Sequence, residues 1–227
     1  SREAVGRARR RPRRIGNPLP TAAAHTPVTT WVENPRGGRE RGARGLARAW
    51  IEVLVRPRRF FENGVAPGDQ APGLVFAVAV AVAYTTGLFA LVPSRIPTLA
   101  GGRALSALVG LAAVALLLAP AVLHLTAAMQ TVLLVLLVRD RGGISETVQV
   151  VAYAAAPCVV AGIPSPELRV VCAGYGTALL VVGLSERHGV SVARAAVAGA
   201  IPATFLFGYV FGGLAALQTV ARGLGLV

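Results

Sequence analysis

Nineteen consecutive residues, Leu74 to Val92, carry no charged side chain. Further uncharged runs follow at Leu105–Val138, Thr147–Pro166, Val170–Ser185 and Ala195–Ala221. A bilayer core about 30 Å thick is crossed by ~20 apolar helical residues. One charge at the centre of such a helix costs roughly 2.5–3.5 kcal/mol. The runs therefore predict an all-α, polytopic membrane bundle of about five transmembrane helices. Their expected limits are 73–92, 105–138, 146–163, 167–184 and 194–220.

The charge lies elsewhere. All 23 basic residues are Arg, and 15 of them precede Phe60. By the positive-inside rule such a segment stays cytoplasmic. The expected location is thus the cell membrane, with the N-terminus cytoplasmic and the C-terminus outside. Nucleic acid is not an expected partner, because no aromatic–basic interleaving or nucleic-acid module accompanies the arginines. Arginine without lysine, amid Ala, Val and Gly, points to a GC-rich, prokaryotic genome.

Residues 1–42 read as disordered, since Pro, Gly and like charges bury too little apolar surface to offset ordering entropy. Within them, 1–27 reads as an over-extended gene start. Residues 43–72 read as an amphipathic helix plus a linker. Leu46, Trp50, Val53 and Leu54 recur at helical spacing on one face, with Arg44, Arg48, Glu52 and Arg56 opposite. The helix is too short to span and should lie in the interface plane. The alternative is a helix packed on protein. Pro57 is expected to end it. Arg44, Arg48, Arg58 and Arg59 would meet headgroups while Trp50, Phe60 and Phe61 insert as membrane anchors. Gly64 to Gly73 is a turn-rich connector.

The stretch 105–138 would be about 51 Å long as one helix. It reads as one long helix kinked at Pro120, with two short helices as the alternative. Ser145 is an expected N-cap for the third span, which contains Pro157.

Two local patterns resemble the Yip-one domain family. The first is Val55-Arg56-Pro57-Arg58-Arg59-Phe60-Phe61 before the first span. The second is Gly142-Gly143-Ile144-Ser145-Glu146-Thr147 leading to Tyr153 and Pro157. The resemblance covers about residues 44–220 and implies a transmembrane domain over 73–221, in a prokaryotic, archaeal-type member. It also implies a membrane-organising or partner-recruiting scaffold. Eukaryotic members bind prenylated Rab-type GTPases. Their acidic element before the first span is replaced here by the basic Pro57–Phe61, so a GTPase partner is not expected.

No residue is singled out as catalytic, cofactor-binding or metal-binding, and no cofactor is expected. His124 is the one ionisable side chain inside the uncharged runs, beside Gln130 and Gln149; an intramembrane polar site or an interhelical histidine bond would use them. Gly208 and Gly212 form a small-xxx-small pattern suited to helix packing. Cys158 and Cys172 read as buried hydrophobes. The expected function is a non-enzymatic scaffold in contact with the lipid bilayer, with a membrane-protein partner or a second copy. A small transporter or permease subunit is the alternative, with Pro120, Pro157 and Pro202 breaking helices.

Overall fold

The computed structural model describes residues 32–33, 39–40, 42–99, 101–138 and 141–226. The expected disorder of 1–42 and the expected gene start at 1–27 lie outside these residues, apart from Gly42, which opens the first helix, and four that form a pair of minimal strands. Those are β1 (Val32–Glu33) and β2 (Arg39–Glu40), antiparallel, with Val32 opposite Glu40.

The remaining regular structure is helical. The helices are α1 (Gly42–Val55), α2 (Pro57–Gly64), α3 (Ala71–Leu91), α4 (Arg103–Leu137), α5 (Ile144–Ala154), α6 (Pro166–His188), α7 (Val192–Val210) and α8 (Gly213–Gly223). Among the described residues, α3, α4, α6 and α7 are long and apolar enough to cross a membrane. The all-helical, multi-pass architecture is the one expected from the uncharged runs.

Paired positions fix the up-and-down course. Gly73 abuts Gln149 and Gly162 abuts Tyr84, so α3 and α5 run parallel. Gly183 meets Val150, and Gly176 meets Phe207, so α6 runs back and α7 out again. Gln130 reaches Ala198, placing the second half of α4 against α7. One end of the bundle, here the polar end, thus gathers the starts of α3, α5 and α7 and the ends of α4 and α6.

α4 is a single helical run of 35 residues, as expected for 105–138. It passes through a π-helical turn at Val114–Leu118 just before Pro120. Three other details depart from the expectation. The expected third span is short: Pro157, which has no N–H to give, turns the chain from α5 into a 3₁₀ turn at Ala156–Val160. Every residue from Glu146 to Ala156 is buried. The expected fifth span is broken. α7 ends in a π-helical stretch, Thr204–Val210, and Gly212 adopts φ +73 before α8 folds against α6. Finally, Pro57 does not simply stop α1; it is the first residue of α2, where its missing N–H costs nothing.

Candidate functional site: a polar junction that holds the amphipathic pair

The loop after α4 and the start of α5 are tied down by one carboxylate. Glu146 sits in the first turn of α5, and its Oε2 accepts the N–H of Gly143 at 2.7 Å. Ser145, expected as the cap, instead accepts the N–H of Gly68 at 2.8 Å. The cap moved because the helix begins two residues earlier, at Ile144, which puts Glu146 at the position that reaches back.

The other oxygen of Glu146 is paired with Nη2 of Arg187, near the end of α6. Nη1 of the same guanidinium donates to the Glu62 carbonyl of α2 at 3.2 Å. One arginine therefore joins the central helix, α6 and the amphipathic segment. The pair is largely buried, with side-chain exposures of 18% for Arg187 and 9% for Glu146. In such surroundings, removing one partner costs more than the pair itself contributes.

His188 closes the junction. Its Nδ1 accepts the N–H of Gly142 at 3.0 Å, which leaves the proton on Nε2, 3.4 Å from the Thr147 hydroxyl. Thr147 in turn donates to the Gly143 carbonyl at 3.3 Å. The exposed Arg58–Glu186 pair, 3.7 Å apart, adds little.

Three further anchors hold the segment 42–70. The buried Gln149 amide donates to the Ala66 and Asp69 carbonyls at 2.7 and 2.6 Å and accepts from Ala66 N–H at 3.2 Å. Trp50 donates its indole N–H to the Ala156 carbonyl at 2.8 Å. Tyr175 of α6 donates its hydroxyl to the Leu54 carbonyl.

The aromatic residues define the contact. Phe60 lies edge-on to Tyr153 at 4.8 Å, and Phe76 to Tyr153 at 5.0 Å. Phe61 fits where Gly183 has no side chain: a Cβ there would stand 2.9 Å from the ring. Phe60 and Phe61 are 2% and 0% exposed. The expectation that they insert into lipid is thus corrected. The central helix supplies an aromatic partner and α6 a glycine notch, and rings gain both burial and edge-to-face contact there. Trp50 is corrected likewise, being half-buried with its N–H spent inside the protein.

The remaining expected residues divide. Arg44, Arg58 and Arg59 are exposed, and Arg48 pairs with Glu52 at 3.4 Å. His124 lies on the outer face of α4 and, among the described residues, bonds only to Pro120 of its own helix, Nδ1 to carbonyl, at 2.7 Å. Gln130 is buried and donates to Ala198 across the α4–α7 contact at 3.1 Å. Gln149 serves the linker. His124, Gln130 and Gln149 therefore do not form one intramembrane polar site: they face three different surroundings. Gly208 lies in the π-helical stretch against Leu214, and Gly212 is a left-handed turn rather than a helical packing position. The two do not share a helix face, because the turn falls between α7 and α8. Cys158 and Cys172 are buried free thiols.

Arg187, His188, Thr147 and Gly183 were missed in the sequence. The signal present was the Gly142–Thr147 loop; what it lacked was the partner, 41 residues away.

The Yip1 domain family matches residues 51–214, most of the chain, which contain α2, the junction and the whole span region up to the Gly212 turn. The match does not bear out an archaeal-type source. No curated protein and no solved structure matches the chain.

Proposed function

The chain belongs to the Yip1 domain family, and from that premise we propose that this multi-pass membrane protein works as a non-enzymatic scaffold. Its role is to organise the membrane or recruit a partner, and we assign it no catalytic step. The observation that carries this reading is the amphipathic pair. α1 and α2 are held to the bundle by Arg187, Trp50 and the Phe60–Phe61 contact, while Arg44, Arg58 and Arg59 point away from it. Ile51 and Val55 on the same outer side are 53% and 69% exposed. Cationic heads beside bare aliphatic groups suit the boundary between phosphate headgroups and acyl chains.

The platform is rigid rather than free. Each arginine near an anionic surface contributes about 1 kcal/mol. We place this face at the cytoplasmic side of the cell membrane, with the N-terminus inside and α8 outside. Arg141, Arg187 and Arg194 at the polar end support that orientation. The partner is a membrane protein or a second copy, with no role assigned to a GTPase.

Reconstitution in phosphatidylcholine vesicles, with and without phosphatidylglycerol, tests the reading. Spin-labelled phosphatidylglycerol should be selectively restricted by the protein. R44Q/R58Q/R59Q should abolish that selectivity without altering the helical content. Equal restriction of both lipids by the unaltered protein would refute the headgroup role.

A further inference from the structure

We propose that a cavity between α3, α4, α5 and α7 is a binding site for one acyl chain of a bilayer lipid. The cavity has a volume of ≈ 190 Å³. Its lining is apolar apart from Thr85 and Tyr84, and much of the wall is alanine, including Ala81, Ala119 and Ala152.

Three helices agree on its depth. Tyr84 lies about 20 Å along α3 from the polar end, and Leu123 and Leu206 lie about 21 Å along α4 and α7. Ala77 and Val151, about 9 and 10 Å along α3 and α5, mark its near limit, so the cavity crosses the middle of a hydrocarbon core about 30 Å thick. Leu118 and Val210, 56% and 37% exposed, form a rim open to the surrounding lipid.

The size and chemistry select the occupant. Water does not fill an apolar cavity of this kind; an engineered one of about 150 Å³ stays dry and takes up benzene. A segment of a flexible hydrocarbon chain can enter from the open rim, and at this depth the medium at the rim consists of such chains.

The backbone on two walls is built for the space. The Val114–Leu118 stretch of α4 and the Thr204–Val210 stretch of α7 are both π-helical, and both contribute to the lining. Such turns displace a helix wall locally and recur at functional sites. Ala155, where α5 gives way to its 3₁₀ turn, lines the third wall.

This inference stands independently of the scaffold reading, because no residue of α1 or α2 lines the cavity. The test uses the full chain in phosphatidylcholine vesicles that contain a trace of the same lipid with a mid-chain diazirine. Illumination should label residues 77–85, 114–123 and 204–211 several-fold above the peptide around Val171, which is 64% exposed to the lipid face. A81F should remove the excess by filling the cavity while the thermal midpoint holds or rises. A119L, from a different helix, provides the same check should A81F fail to fold. Even labelling of the cavity and of the Val171 peptide would overturn the proposal. So would unchanged labelling of a folded A81F or A119L variant. Labelling by a free diazirine alkane but not by the lipid would also overturn it, in favour of a small hydrophobic ligand.

Discussion

The indole N–H of Trp50 ends on the carbonyl oxygen of Ala156, 106 residues later, at 2.8 Å. Ala156 opens the 3₁₀ turn that follows α5, where Pro157 has removed a backbone donor. Carbonyls near a helix end lack some of their usual intrahelical partners. α1 thus bonds to the place where the central helix is interrupted.

Replacing Trp50 separates bond from bulk. W50F keeps most of the packing and loses one hydrogen bond, so it should lower stability by about 1 kcal/mol. W50A also loses the ring's contacts and should cost about 3 kcal/mol, with proteolysis beginning in residues 42–55. Thermal unfolding in detergent and limited proteolysis read the two effects. Equal midpoints for W50A and the unaltered protein would show that the contact does not hold α1.

The Glu146–Arg187 pair makes a second prediction. R187M strands a buried carboxylate and should destabilise by about 3–5 kcal/mol. E146Q should also destabilise, by leaving the guanidinium without its charge partner. The double variant E146Q/R187M should be less destabilised than the sum of the two, which a double-mutant cycle measures. Strict additivity would mean that the two side chains act independently.

A third prediction concerns close backbone approach. A Cβ on Gly162 would collide with the Tyr84 carbonyl and stand 2.9 Å from the Leu88 nitrogen. Neither is a side-chain end that can swing away. G162A should therefore force α3 from the chain that follows α5, and yield little monodisperse protein on size-exclusion chromatography. G174A, at a position with nothing within 4 Å of the new Cβ, should behave as the unaltered protein.

The membrane-spanning elements were legible because absence of charge over long runs is a strong, one-dimensional signal. α4 was readable as one helix for the same reason: Pro120 lies in it with no turn-forming residues around it. The breaks were not readable. Pro157 could kink a helix or end it, and the deciding fact is that α5 is enclosed on all sides by α3, α4, α6 and the segment 56–70. Phe60 and Phe61 misled because Pro-Arg-Arg-Phe-Phe suits a lipid interface as well as a protein notch. The notch needs Gly183 and Tyr153, more than ninety residues away. Arg187 and His188, the last two residues of α6, carry no sign of a partner in the sequence. Only the return of α6 to the start of α5 brings them to Glu146 and Thr147.

The central claim is that α1 and α2 are built into the bundle, with arginines outward and aromatic rings inward. Nitroxide labels placed singly along residues 44–64 of the reconstituted chain test it most directly, using dissolved oxygen for lipid exposure and a nickel complex for water exposure. The account predicts that labels at Ala49 and Val53 are shielded from both reagents. It predicts oxygen access at Ile51 and Val55, and nickel access at Arg44 and Arg58. High oxygen access at Phe61, in a variant that keeps its fold, would contradict it and return the phenylalanines to the lipid.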